Sequence, residues 1–309
     1  MQDQAHVHSW YAASATTEDA YPPLRGATET DVCVIGGGYT GLSAAIFLRR
    51  RGYKVTLLEA NKVGWGASGR NGGHVGTGQR AEQDELEKLV GLEHARALWA
   101  LGLEAVDTVC DLVAENEIDC ELKSGNLHVA CKAKEVPGLQ QEVEHLSTVY
   151  DYQQMRFVGG EELSQMTSGQ GFHAGVLDNG CRHLHPLKYA HGLARAASAA
   201  GAVIHEGSRV QSYSEGDKVR VRTDQGEVTA SFLVLACNGY LEKLEPRAAG
   251  RIMPINNYML ATEPLPEAVA RRLIRDDASM SDSLFVINYW KLSADNRLLF
   301  GGGESYTRR

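Results

Sequence analysis

The chain has no CxxC pair, no HExxH or comparable spacing of metal ligands, and no excess of basic residues. Each absence removes a class of function. The six cysteines (Cys33, Cys110, Cys120, Cys131, Cys181 and Cys237) are scattered through 309 residues. In a chain of that length they read as reduced thiols rather than a disulfide framework, so a cytoplasmic protein is expected. The eleven histidines, His183 and His185 among them, form no ligand pattern, and no metal is expected. A net charge of −8 argues against nucleic acid or an anionic membrane as a partner, since both favour basic surface. No basic segment leads into an apolar stretch at the start, so no signal peptide is expected. The most membrane-like run, Val32–Leu48, is broken by glycines and halts at Arg49-Arg50-Arg51. It falls short of the roughly 18 uninterrupted apolar residues that a span requires, so no membrane span is expected.

What the chain has in plenty is glycine, 33 of 309 residues, against an average of roughly 7%. No repeat or linker absorbs the excess, so many positions are expected to need positive φ or a close approach of backbone to something else. The first 30 residues read as an extended polar arm broken by Pro22-Pro23. Asp31–Ile35 then reads as a strand buried on both faces, Leu42–Arg51 as a helix ended by Gly52, and Lys54–Glu59 as the next strand. Together these make one βαβ unit. Residues 61–80 are a glycine-dense loop. Residues 82–115 have helical periodicity, β-like segments surround Leu127–Ala130 and Gly175–Leu177, and a helix lies near Gly138–Tyr150. A second helix-then-strand unit follows at Leu187–Ala200 and Val203-Ile204. Short strands are expected at Val210–Tyr213, Val219–Arg222 and Phe232–Ala236, and residues 252–303 are strand-rich. With no long linker between these blocks, the cofactor domain is expected to be assembled from separated pieces with a substrate domain inserted between them.

The turn Gly36-Gly37-Gly38-Tyr39-Thr40-Gly41 fits GxGxxG, a weak signal alone. Here a strand precedes it, a helix follows it, and an acid closes the next strand. Gly36 permits the tight turn, Gly38 lets backbone approach a pyrophosphate, and Gly41 lets helix and strand pack closely. The helix N-terminus offers N–H groups to the phosphates. Glu59 lies near the spacing of about 20 residues expected for an acid that holds ribose hydroxyls. The bland alternative is a glycine turn with no ligand. This turn does not separate FAD from NAD. The loop Gly66–His74 favours the longer dinucleotide, because a second glycine cluster with Arg70 suits a backbone wrapped round more phosphate. A mobile surface loop is the competing reading.

Asp31–Gly41, Gly64-Trp-Gly-Ala-Ser-Gly-Arg-Asn-Gly-Gly73, His185–Arg195, Leu235–Tyr240 and Leu292–Gly302 resemble the D-amino-acid oxidase superfamily of FAD-dependent oxidoreductases. Within it, the chain is most similar to the gamma-glutamylputrescine oxidase group, including its N-terminal Trp10-Tyr11-Ala-Ala-Ser. The resemblance implies an α/β fold: a Rossmann-like FAD-binding domain with an interleaved α+β substrate domain built on an antiparallel sheet. The expected division is 1–80 and 181–245 for the FAD domain, with 81–180 and 246–309 for the substrate domain. Relatives continue past the final glycine strand, so a C-terminal FAD-closing segment is expected to be missing here. By position, Gly36, Gly38 and Gly41 would hold the pyrophosphate and Glu59 the adenosine ribose. Ser68, Arg70, Asn71 and Gly73 would line the phosphate and flavin side. Val210 would meet the adenine through its backbone, and Ala236 and Gly239 would lie against the cofactor.

The resemblance further implies oxidation of a primary or secondary amine, as in polyamine catabolism. Hydride passes to the flavin, the imine hydrolyses to an aldehyde, and molecular oxygen or another electron acceptor takes the electrons, with hydrogen peroxide as the product with oxygen. Because the flavin performs the difficult step, no demanding acid–base residue is required. His74 is placed to tune the flavin or position the substrate, and an ordinary packing role competes with this. Tyr258 and Tyr289 would wall the amine pocket, although aromatic residues on strands are commonly plain core. Lys291 is a candidate for oxygen activation, against the bland reading of a solvated lysine. Arg182, His183 and His185 read as a turn that starts a helix. Two other readings compete: a truncated, non-catalytic remnant acting as a binding module, and a nicotinamide-dependent dehydrogenase.

Overall fold

The computed structural model describes residues 5–15 and 19–305. The chain divides into two compact units. The first comprises the residues up to Asn71 with Asn116–Cys120 and Pro186–Ile255, and the second Gly72–Glu115, Glu121–His185 and the residues from Asn256 onward.

The first unit is built on a six-stranded sheet. Its order is Val203–His205, Val55–Leu58, Gly26–Ile35, Gly226–Leu235, Val219–Arg222, Ser212–Ser214. The first four strands are parallel and the last two turn back as an antiparallel meander. Val32–Ile35 and Val55–Leu58 are buried at every position, as continuous apolar runs in a covered parallel sheet should be. The helices Tyr39–Arg50 and Pro186–Ala199 pack on one another. The second of them presents Ala190, Ala194 and Ala197, small enough for close approach, while Leu187 and Leu193 fill the space beneath. Each such fully buried leucine contributes about 2 kcal/mol from area removed from water. Gly192 on the same helix faces Ile118, which is why Asn116–Cys120 belongs to this unit although its neighbours in sequence belong to the other.

The second unit carries an eight-stranded mixed sheet in the order Asn256–Ala261, Leu298–Ser305, Tyr289–Leu292, Ser279–Asp282, Lys123–Val129, Gly175–His183, His74–Val75, with Met155–Val158 also paired to Gly175–His183. All pairings are antiparallel except that of Ser279–Asp282 with Lys123–Val129. Leu127, Val129, Met280 and Leu292 from the strands meet Leu163, Met166 and Ala270 from the helices Gly160–Met166 and Glu267–Leu273, and Ile274 just after the second helix, in its main core.

Several sequence expectations need correction. The N-terminal arm is not extended throughout: Trp10–Ser14 is helical, N-capped by Ser9, whose Oγ accepts from the Ala12 N–H at 3.2 Å. The segment 82–115 is two helices, Gln83–Val90 and Leu92–Glu115, parted at Gly91 with φ +81°. The boundary expected at residue 80 falls instead after Asn71, because Gly73 pairs its backbone with Leu184 of the second unit. The boundary expected after 245 falls after Ile255, and that expected after 180 falls after His185.

Candidate functional site

In the first unit the strand Gly26–Ile35 runs into the glycine turn and then the helix Tyr39–Arg50. Gly36 has φ +114°, and a Cβ there would stand 2.5 Å from the Ala236 carbonyl oxygen. A Cβ on Gly41 would overlap the Gly36 carbonyl oxygen, so the first helical turn lies against the strand end only because both residues are glycine. Gly38 is the helix N-cap and has no side chain to satisfy the first-turn N–H groups. Ser68 partly fills that role from outside, its Oγ accepting from the Tyr39 N–H at 3.2 Å.

Glu59, at the end of the neighbouring strand, reaches back to the turn. Its Oε2 accepts from the Gly37 N–H at 2.7 Å and its Oε1 from the Asn61 N–H at 2.8 Å. Burial pushes its carboxyl above the ordinary value, against those two donors, which pull it down.

These groups border a cavity of about 490 Å³. Of the expected cofactor residues, Gly36, Gly38, Glu59, Ser68, Val210 and Ala236 line it. The rest stand elsewhere. Gly41 packs helix on strand. Asn71 Nδ2 donates to the Ala67 and Ser68 carbonyls and to the Tyr39 hydroxyl, closing the loop on itself. Arg70 lies 4.9 Å over the Trp65 ring and donates to the Tyr240 hydroxyl at 3.0 Å. Gly239 sits in the turn Asn238–Tyr240, whose flanking residues reach the cavity wall. Gly73 belongs to the second unit, where a Cβ would strike the Leu184 carbonyl.

Sequence reasoning missed Gly37, Trp65, Arg209, Gln211, Tyr240 and Lys243, all at the cavity wall. For Trp65 a signal existed, a large aromatic between two glycines. For Lys243 and Gln211 none did, because the wall is closed by segments far apart in sequence.

In the second unit, His74, His183, Tyr289 and Lys291 form a cluster. His74 and His183 are direct cross-strand partners. The His74 ring meets the Tyr289 ring edge-on at 5.6 Å. The Tyr289 ring fits a slot that only glycine leaves open: a Cβ on Gly72 would stand 2.6 Å from it and one on Gly301 would overlap it. Lys291, 3% exposed, is not the solvated lysine of the bland expectation, and its Nζ donates to the Leu184 carbonyl.

His183 Nε2 lies 2.8 Å from the Asp277 carbonyl oxygen and must be its donor, which leaves Nδ1 a bare acceptor, buried and without a partner. His74 Nε2 is likewise buried and without a partner. Burial first, then the Lys291 charge, hold His74 down to about 3 and His183 to about 4, so both rings are neutral at physiological pH. His183 ends a strand and Pro186 opens a helix, with His185 fully buried between them. Tyr258 is 55% exposed on the edge strand Asn256–Ala261, which leaves Tyr289 as the aromatic side chain of this cluster.

Among the described residues no group of three or more His, Cys, Asp or Glu could hold a metal ion. No described helix is long and apolar enough to cross a membrane.

Comparison with known proteins assigns this architecture. The chain is 40% identical over 304 residues to the probable oxidoreductase OrdL of Rhizobium meliloti (strain 1021), covering 97% of this chain and 70% of that protein. It is 36% identical over 305 residues to the gamma-glutamylputrescine oxidoreductase of Escherichia coli (strain K12), covering 98% and 71%. In fold it is similar to glycine oxidase from Geobacillus kaustophilus, with a TM-score of 0.69 at 21% identity over 90% of this chain and 72% of that one. It is similar also to L-proline dehydrogenase from P. horikoshii, with a TM-score of 0.67 at 20% identity over 93% and 72%. The profile of the FAD dependent oxidoreductase (DAO) family matches residues 31–309. With four parallel strands, a glycine turn and an acid at the next strand end in one unit, and a largely antiparallel sheet in the other, the chain belongs to this family of FAD-dependent oxidoreductases.

Proposed function

We propose that this chain oxidises a primary or secondary amine of the gamma-glutamylputrescine type. Amine, oxygen and water would give aldehyde, the released amine or ammonia, and hydrogen peroxide, and another electron acceptor is the alternative to oxygen. The observation that carries the reading is the 36% identity with gamma-glutamylputrescine oxidoreductase across 98% of the chain. The family match leaves the nicotinamide-dependent reading without support.

The residues fit the dinucleotide. Backbone N–H groups at an N-cap without a side chain, a cavity that a Cβ on Gly36 or Gly38 would disturb, and a buried carboxylate at the strand end suit pyrophosphate and ribose in turn. Gly36–Gly38 would take the pyrophosphate, Glu59 the ribose hydroxyls, and Val210 with Gln211 the adenine edge. Arg70, Asn71 and Gly239 would act indirectly, by fixing the loop and turn that border the cavity, and Gly41 by setting the helix against the strand. Bound FAD supplies the two-electron acceptor for the carbon–hydrogen bond beside the amine nitrogen.

In the second unit, Tyr289 would give the amine an aromatic face, held by its glycine slot. His74, neutral and with a buried unpartnered Nε2, would orient a polar group without supplying charge. Lys291 would provide a fixed positive charge at a dry position, suited to a reduced-oxygen species. The six free cysteines are in keeping with a reducing cytoplasmic compartment.

The test is the visible spectrum of the protein with FAD added, followed by anaerobic gamma-glutamylputrescine and then simpler amines. Oxidised-flavin bands that bleach with the glutamylated amine support the reading. Bands that no amine bleaches refute the substrate class. Failure to take up FAD supports a non-catalytic binding module instead.

A further inference from the structure

The segment 61–71 supplies one wall of the FAD cavity through Asn61 and Gly64–Ser68, and the two ends of this segment are fixed from within. At its start the Glu206 carboxylate accepts from the Val63 N–H at 2.7 Å and pairs with Lys62 at 2.8 Å. At its end Asn71 holds the Ala67 and Ser68 carbonyls. Its middle, Trp65, is held differently. The indole ring has the Arg70 guanidinium on its face and the Tyr240 ring at its edge, 5.9 Å away. Its Nε1–H donates at 2.9 Å to the carbonyl of Ala5 in the N-terminal arm.

The arm has its own anchors on the same unit. Tyr11 and Ala15 are buried, and the His6 ring meets His191 edge-on at 5.8 Å. His191 belongs to the helix Pro186–Ala199, whose Leu187 and Ala190 also back the loop at Gly64 and Gly69. Arm and loop thus rest on one helix and meet at Trp65.

We propose that the N-terminal arm is a clasp for FAD, with Trp65 as its point of contact: the arm fixes the indole in the cavity wall and thereby slows escape of the cofactor. This rests on the assignment of the glycine-turn cavity to FAD. The arm touches the wall rather than the cavity, so Ala5 and His6 are positioning residues and act through Trp65.

The experiment titrates FAD into the apoprotein by flavin fluorescence and follows release after dilution. It compares wild type, a form lacking residues 1–8, Trp65→Phe, the combination of both, and Glu59→Gln, with far-UV circular dichroism as the check on folding. Trp65→Phe keeps an aromatic ring for Arg70 and Tyr240 but loses the N–H donor together with part of the indole's area. Loss of one hydrogen bond and its anchorage corresponds to about three- to tenfold weaker binding, expressed mainly as faster release. Because arm and indole act as one device, the combined form should bind no more weakly than the worse single form. Wild-type affinity in both Trp65→Phe and the shortened form overturns the clasp, and so do additive losses in the combination. Wild-type affinity in Glu59→Gln with weakened arm variants would instead count against the cavity assignment.

Discussion

Replacing Glu59 by Gln gives a sharp test of the cofactor cradle. The carboxylate accepts the Gly37 and Asn61 N–H groups with one oxygen each. A Gln amide can accept one and must present its NH2 to the other, and it also loses the charged acceptor proposed for a ribose hydroxyl. A hydrogen bond to a charged group is worth about 1.5–3 kcal/mol, so the FAD Kd should rise by about 10- to 100-fold. The fold itself should suffer less, because the substitution also removes a charge whose burial is unfavourable.

Glu59 also gives stability and affinity opposite pH signs. Its carboxyl lies above the ordinary value because of burial, so its contribution to apoprotein stability is present at low pH and fades as pH rises through the raised value. A hydroxyl donor bonds more strongly to an ionised carboxylate than to a neutral carboxyl, so FAD affinity should strengthen over that same rise. Fluorescence titration of apoprotein and thermal melts across pH 4–8 measure both, and Glu59→Gln should flatten both profiles. An FAD Kd within twofold of wild type, or affinity that weakens as Glu59 ionises, would refute the assignment.

Three further outcomes follow from the second unit. Lys291→Met should raise the titration of His183 above about 4 and of His74 above about 3, while burial keeps both below 6.5; two-dimensional NMR of the imidazoles reads this, and unmoved values would show that Lys291 does not act on them. Gly301→Ala pushes a methyl into the Tyr289 ring and should cost about 1–3 kcal/mol in denaturant unfolding, so an unchanged midpoint would refute the tight slot. Burial and the neighbouring Glu82 raise Glu142 to about 7, so its contribution to stability is lost as pH rises through 7. Glu142→Gln should therefore stabilise by about 1 kcal/mol at pH 8.5, allowing for solvent screening, and not at pH 5. Equal melting shifts at the two pH values would show the pair to be independent.

The strand–turn–helix–strand run from Val32 to Glu59 was legible because each element carries its own local signal: an uninterrupted apolar strand, a glycine turn, a small-residue helix face and an acid at the right distance. Trp10–Ser14 was not, since five residues are too few to make a helix by propensity, and this one depends on burial of Tyr11. The break at Gly91 was hidden because glycine inside a periodic run is ambiguous until its φ is known. Glu59 and Ser68 could be assigned from their place beside the motifs. Gln211 and Lys243 could not, since no motif marks them and they reach the cavity from far along the chain. Tyr258 and Tyr289 looked alike in sequence, and only their burial separates them.

The register of the first sheet also sets a clock for synthesis. Gly26–Ile35 pairs in parallel with Gly226–Leu235, starting at Gly26 opposite Gly226, and the bulk of the second unit lies between. At about 5–20 residues per second, the ribosome needs roughly 10–40 s to deliver the second strand after the first. Throughout that interval the central strand can pair only with Val55–Leu58, and its other edge stays open. The nascent chain therefore carries the buried run Val32–Ile35 half-paired while much of the second unit is being made, the period in which chaperone binding or a slowed ribosome would most change the yield of folded protein.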